Sequence, residues 1–231
     1  MNESIISQLK QNQDIQENLK FLAENTTGKI VFSTSFGIED QLITDAIFSQ
    51  KLKTIEVFTL DTGRLFTETY ATWNKTELQY GEKIKTYYPD TEELEGFVNI
   101  NGINPFYESV DLRKQCCHIR KVVPLQRALK DVKVWITGLR AEHSVNRNEL
   151  EIIQWDEQNQ LYKYNPLLHW TTEEVKEYVA KKGIPYNVLH DKGFVSIGCA
   201  PCTRGIKEGE DFRAGRWWWE DVSKKECGLH S

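Results

Sequence analysis

The chain has 231 residues, 39% of them hydrophobic and 27% charged, which suits a globular protein with one sizeable α/β domain or two small ones. Its net charge of −5 excludes a global basic field for nucleic acid and leaves any small anionic substrate to be held by local cations. No apolar run approaches the roughly 20 residues of a membrane span, and the opening MNESIISQLKQNQDIQENLK lacks the basic start and apolar core of a signal peptide. A cytoplasmic location follows as the expectation, and the five cysteines then need an account other than structural disulfides.

In chain order, residues 1–27 read as one or two helices, with Ile6, Leu9, Ile15, Leu19 and Leu22 forming a helical stripe. A β-like run, Ile30–Phe32, passes through Ser, Thr and Gly into a helical pattern. The scheme repeats with a strand over Ile55–Leu60, a turn at Asp61-Thr62-Gly63 and a helix from about Phe66. EKIKTYY reads as a third strand and DVKVWITGLR as a fourth, preceded by a helical stretch over Ile119–Leu129. Strand–turn–helix at this spacing implies right-handed βαβ units around a parallel sheet. Ligands then bind beyond the carboxyl ends of the strands, here Ser33–Gly37, Asp61–Gly63 and Gly138–Arg140. After residue 150 the pattern weakens. A helix capped by Thr171 or Thr172 runs to about Lys182 and is ended by Gly183 and Pro185. From Asn187 onward loops, cysteines and charges dominate.

Cys116-Cys117 and Cys199-Ala200-Pro201-Cys202 are the strongest chemical features. Four thiols in two tight pairs suit one tetrathiolate centre, either a [4Fe–4S] cluster or structural zinc. Neighbouring helical residues point about 100° apart, so adjacent cysteines converge more easily on separate irons than on one small ion. Buried, unliganded cysteines are the plainer alternative. Lys121 lies four residues after Cys117 and shares its face on a helix, where it would offset thiolate charge. The stretch FSTSFGIED follows a strand and opens a helix, a setting for phosphate oxygens. It lacks the P-loop spacing, and a plain βα turn explains it equally well. Basic residues crowd the second half: Lys121, Arg140, Arg147, Arg204, Lys207, Arg213 and Arg216. Arg213 and Arg216, three apart, suit an anion clamp or a solvated loop. Trp217-Trp218-Trp219 reads as a pin for the C-terminal segment. Cys227 has no partner cysteine, and Lys224, Lys225 and His230 are near enough in sequence to lower its pKa.

Taken together, FSTSFGIED, CCHIRKVVPL, GCAPCTR, GEDFRAGRWWWE and KECGLH resemble the assimilatory sulfonucleotide reductases, in their iron–sulfur type that reduces adenylyl sulfate. The resemblance covers some 200 of the 231 residues. It implies a Rossmann-like parallel sheet of the adenine nucleotide alpha-hydrolase type, with a loop-rich C-terminal segment and tail. The domains it implies are an N-terminal helical segment (1–27), a sulfonucleotide-binding α/β domain carrying the cluster (28–216) and a tail bearing the catalytic cysteine (217–231). It implies one [4Fe–4S] cluster on Cys116, Cys117, Cys199 and Cys202, with Cys227 as nucleophile. Ser33, Thr34, Ser35, Gly37, Asp40, Leu60, Gly63, Gly138 and Arg147 fall where that family builds its nucleotide pocket. Lys121, Arg213, Arg216 and His230 fall at its phosphate–sulfate end. The implied reaction is thioredoxin-dependent reduction of adenylyl sulfate to sulfite and AMP through an S-sulfocysteine, for sulfate assimilation and cysteine biosynthesis, in a monomer or homo-oligomer. His143 stands where the resemblance calls for Gln. The alternatives are a reductase of the 3′-phosphorylated nucleotide or of both nucleotides, an ATP-dependent adenylating or sulfur-transfer enzyme on the same fold, and a zinc-stabilised binding module. Members strict for the 3′-phosphorylated substrate usually lack the four cysteines. STSFGIED lacks the Ser-Gly-Gly-x-x-Ser loop of the ligases.

Overall fold

The computed structural model describes residues 2–143 and 150–221. The described chain forms two compact units. The first gathers the residues up to Thr59, Glu68–Lys85 and the described part of Asp131–Val188; the second gathers Leu60–Thr67, Thr86–Lys130 and the residues from Leu189 onward. Among the described residues no helix is long and apolar enough to cross a membrane.

One six-stranded sheet runs in the order β3-β2-β1-β4-β6-β5. Its strands are β1 (Lys29–Ser33), β2 (Ile55–Leu60), β3 (Lys85–Tyr87), β4 (Val132–Ile136), β5 (Ile153–Asp156) and β6 (Leu161–Tyr164). β1 pairs in parallel with β2 and β4, and β4 with β6, while β5 pairs antiparallel with β6. The four expected strands are present. Ile30, Val31, Phe32, Val134, Trp135 and Ile136 are buried, so the central strands read as unbroken apolar runs, the mark of a sheet covered on both faces. β2 and β3 lie on one side of β1 and β4 lies on the other. The winding therefore reverses between β1 and β4, where such sheets bind ligands.

Helices α1 (Glu3–Gln11) and α2 (Ile15–Asn25) begin at Asn2 and Asp14, whose side chains accept from the first-turn N–H groups. Their stripe, Leu9, Ile15, Leu19 and Leu22, enters the same apolar core as Ile30, Phe32 and Ile136; Ile6 stays half-buried. α3 (Ile38–Phe48) follows β1, and α4 (Thr67–Tyr80) follows β2. α8 (Thr172–Lys182) has the expected start, a reciprocal cap between Thr171 and Glu174. It ends at Gly183, whose φ of +62° suits the left-handed closing position.

In the second unit Asp90 caps α5 (Thr91–Asn101), a helix the sequence reading left unassigned. α6 (Val110–Cys117) starts at Ser109 and runs through one π-helical turn, His118–Val122, into α7 (Val123–Ala128). The helical stretch expected from Ile119 thus begins nine residues earlier, and Cys116-Cys117 close α6. A π-turn widens the helix locally and frequently marks a functional site.

Candidate active site

At the carboxyl end of β1, Ser33 Oγ accepts from Trp135 Nε1 at 2.9 Å. Thr34 donates its N–H to the Phe58 carbonyl at 2.8 Å, and its hydroxyl accepts from the Phe36 N–H at 3.1 Å. Phe36 takes a φ of +61°, uncommon for a residue with a side chain, and stacks on Trp73 with centroids 5.4 Å apart. Gly37 caps α3 without a side-chain acceptor. Ser35 donates its N–H (2.6 Å) and hydroxyl (2.7 Å) to one oxygen of Asp40. Gly138, two residues past β4, faces the same carboxylate: a Cβ there would stand 2.3 Å from Asp40 Oδ1. Ser33, Thr34, Ser35, Gly37, Asp40 and Gly138 therefore form one loop cluster at the β1–β4 reversal. Arg140, counted among the local cations, is committed elsewhere: buried, it bonds Glu39 (2.9 Å), Thr172 (2.9 Å), the Trp170 carbonyl (3.1 Å) and Glu142.

Burial pushes the Asp40 carboxyl up to about 6; the Ser35 hydrogen bonds oppose the rise and the Glu39 charge adds to it. A carboxyl whose folded pKa is raised stabilises the fold fully below its unfolded value and loses that contribution as pH climbs through the folded value. The loss is on the order of 3 kcal/mol, spread over roughly pH 4 to 6. Asp40→Asn keeps the size and cannot ionise. Urea unfolding should show the variant gaining on the wild type by that order between about pH 4 and pH 7. A gap that does not change with pH would contradict this account of Asp40.

The second unit brings the four paired cysteines together. Cys199 and Cys202 are buried with Phe106 and Trp217, and Cys116, Cys117 and Trp219 pack against them. The loop bearing Cys199 and Cys202 is tightly tied: Ala200 donates to the Arg64 carbonyl (2.8 Å), Cys202 to the Cys199 carbonyl (2.9 Å) and Trp217 to the Cys202 carbonyl (3.1 Å). Thr62, in the Asp61-Thr62-Gly63 turn, has its hydroxyl 3.3 Å from Cys199 Sγ, and its carbonyl accepts from Arg120 at 2.7 Å. Gly63 closes that turn at φ +69° with its N–H on Asp61 (2.8 Å). The Arg216 guanidinium lies on Gly198, where a Cβ would come within 2.6 Å of it, and reaches Ser196 at 3.2 Å.

Burial, opposed or reinforced by neighbouring charge, shapes these thiols. Burial alone would raise Cys199, but Lys121, the Thr62 hydroxyl, Arg216 and Arg120 hold it below the usual thiol range. Burial and the neighbouring Cys199, with a further contribution from Cys117, push Cys202 up to about 12 against Lys121 and Arg216. Burial also raises Cys116, which Arg120 opposes and Cys199 reinforces. One thiolate is thus accommodated at Cys199, and its charge resists a second at Cys202 or Cys116. All four are free of disulfides. Among the described residues no three His, Cys, Asp or Glu groups converge as on a single metal ion.

The sequence profile of the phosphoadenosine phosphosulfate reductase domain matches residues 29–205. The chain belongs to that family. Among curated proteins, an adenosine 5'-phosphosulfate reductase of Agrobacterium fabrum is 48% identical over 217 residues, covering 94% of this chain and 83% of that protein. One of Rhizobium meliloti is 53% identical over 203 residues, covering 88% and 76%. Among solved structures, the phosphoadenylyl-sulfate reductase of Candida auris in its phosphate complex is 29% identical, covers 88% of this chain and 98% of that one, and superposes with a TM-score of 0.73. Yeast FAD synthetase, 16% identical with a TM-score of 0.55 over 89% of this chain and 70% of that one, shares the fold alone. The expected sheet of the adenine nucleotide alpha-hydrolase type is borne out.

Within this reductase family fold, Leu60 and Gly63 lie in the second unit with the thiols. Lys121 sits in the π-turn, close enough to act on Cys199 and Cys202. Arg213 is half-buried in the turn leading to Arg216; its N–H rests on Asp211 (2.8 Å) and its carbonyl accepts from the Arg216 N–H (2.9 Å). Arg204 is held by both oxygens of Glu210 at 2.8 and 3.0 Å. Arg147, Cys227 and His230 lie outside the described residues, as does the side chain of His143. Sequence reasoning missed Thr62, Arg113, Arg120 and Trp217 as neighbours of the thiols. Arg113 stands four before Cys117 and Arg120 four after Cys116, so the helical spacing that singled out Lys121 would have found both. Thr62 was marked only as part of the Asp61–Gly63 strand end, and nothing local tied it to the thiols.

Proposed function

We propose that this chain reduces adenylyl sulfate to sulfite and AMP with electrons from a thioredoxin dithiol, serving sulfate assimilation. The observation that carries the reading is the four-thiol site ringed by cations in a member of this reductase family. Its relatives of about 50% identity bear the name adenosine 5'-phosphosulfate reductase.

The residues fit a [4Fe–4S] cluster. Cys116, Cys117, Cys199 and Cys202 would hold it. Arg120 Nε, Arg216 Nε and Trp217 Nε1 are buried with no acceptor among the described residues, and sulfur-rich groups accept such N–H donors. When bound, the cluster would supply fixed charge and structure, and the two-electron thiol chemistry does not require it to change redox state.

Ser33, Thr34, Ser35, Gly37, Asp40, Leu60, Gly63, Gly138 and Arg147 bind the nucleotide. Cys227 thiolate attacks the sulfur of the sulfate–phosphate anhydride. The new S–S bond forms as the bridging S–O bond breaks, and the electron pair leaves on the AMP phosphate. Lys121, Arg213, Arg216 and His230 stabilise that growing charge, the electrostatic contribution that commonly dominates catalysis. A thioredoxin thiolate then attacks Cys227 Sγ, expelling sulfite, and its second thiol resolves the mixed disulfide. Thioredoxin's potential of about −270 mV suits this role. Purified protein with thioredoxin should release sulfite from adenylyl sulfate in preference to the 3′-phosphorylated nucleotide. Sulfite from neither would overturn the proposal, and preference for the latter would shift it to the family's other substrate.

A further inference from the structure

Trp135 and Lys163 belong to strands, not to the loops assigned to the nucleotide, yet both are buried in the first unit, at 1% and 4% exposed. The sheet register sets them beside Ser33. Val31 of β1 pairs with Trp135 of β4, and Trp135 pairs with Lys163 of β6. Ser33 follows Val31 by two residues, so the alternation of side chains along a strand puts Val31, Ser33, Trp135 and Lys163 on one face. Lys163 Nζ lies 5.1 Å from the Trp135 ring centroid, and Trp135 Nε1 donates to Ser33 Oγ at 2.9 Å. Ser33 itself is half-buried and is the last residue of β1, at the point where the winding reverses.

A serine hydroxyl carries one proton and two lone pairs, and an indole N–H only donates. Trp135 therefore takes up one lone pair of Ser33 Oγ and cannot receive its proton. The proton is turned away from Trp135, and among the described residues Ser33 Oγ is given no acceptor for it. Ser35, two residues on, differs in this respect, because its hydroxyl is already donated to Asp40. A cation over an indole face is attracted by the ring electrons, and polarising the ring strengthens its N–H as a donor in a buried setting.

We infer that Trp135, backed by Lys163, is a positioning residue that makes Ser33 a hydrogen-bond donor to the bound nucleotide. The atom Ser33 meets is an acceptor, either a ring nitrogen or a ribose or phosphate oxygen. The inference rests on the proposed nucleotide role of Ser33. It goes beyond that role by naming the residues that set the direction of the hydroxyl and the class of atom it meets.

The test uses the full-length protein and AMP as the probe, with binding followed by calorimetry. Wild type is compared with Ser33→Ala, with Trp135→Phe, which keeps a buried ring and lacks the N–H, and with the double variant. Ser33→Ala should weaken AMP roughly 5-fold and Trp135→Phe roughly 3–5-fold, the worth of one hydrogen bond. The double variant should bind no worse than Ser33→Ala, because one residue acts through the other; independent effects would multiply to about 15–25-fold. Lys163→Met should weaken AMP about twofold. Trp135→Phe binding AMP as the wild type does, or losses that multiply in the double variant, overturns the positioning. NMR of the indole N–H groups gives a second readout that needs no change at Trp135. AMP should shift the Trp135 Nε1–H signal in wild type and leave it in place in Ser33→Ala, and equal shifts in both overturn the relay. Wild-type protein that binds no AMP overturns the proposed nucleotide site and this inference with it, whereas AMP binding that Trp135 does not influence overturns the inference alone.

Discussion

Cys227→Ser is expected to bring sulfite formation down to background, a loss on the order of 10⁴-fold or more, while nucleotide affinity and iron content stay at wild-type levels. The reason is the nucleophile. A thiol titrates near 8.5 and yields a usable thiolate at neutral pH, whereas a serine hydroxyl at the same position has no comparable fraction ionised and no base assigned to activate it. The four other cysteines cannot substitute, because they are gathered with Phe106 and Trp217 in the second unit. Stopped turnover with intact colour and binding separates a lost nucleophile from a damaged fold. Retained turnover would remove Cys227 from the mechanism.

Cys199→Ala should have the largest effect on the second unit. Anaerobically purified wild-type protein should be yellow-brown with about four irons per chain. The variant should lose most of that iron and its absorbance, and unfold at a lower temperature. Cys199 is the thiol whose charge Lys121, Arg216 and Arg120 favour and the one bonded to Thr62. Removing it leaves those cations without the thiolate they favour, beside Cys116 and Cys202, which resist ionisation. Elemental analysis and thermal unfolding check both halves together. A colourless, zinc-loaded wild type would contradict the cluster, and a variant retaining full iron would remove Cys199 from its ligands.

Much of this arrangement was legible beforehand, for identifiable reasons. β1 and β4 announce themselves through the unbroken apolar runs Ile30–Phe32 and Val134–Ile136, as strands buried on both faces do. α8 does so because Thr171, Glu174 and Gly183 are local start and stop signals. β5 and β6 stayed hidden because each has four residues, and Gln154, Asp156 and Lys163 interrupt the apolar pattern. Their pairing is settled by contact with β4 and with one another, which no local window carries. The cysteine pairs could be read as one centre from spacing. Arg113 and Arg120 were within reach of the same helical spacing as Lys121, but Thr62 was not, since it arrives from a turn 54 residues before Cys116. Likewise, FSTSFGIED suggested a phosphate loop, but only the fold shows that Gly138 is confined by Asp40.

The central claim is that sulfur passes from the nucleotide to Cys227. Mixing the iron-loaded protein with adenylyl sulfate and no thiol donor, then mapping the chain by mass spectrometry, tests it most directly. The account predicts one added SO₃ group per chain, on the peptide containing Cys227, with an equal amount of AMP released and the adduct discharged as sulfite when thioredoxin is added. AMP release without an adduct, or an adduct on any other cysteine, would contradict it.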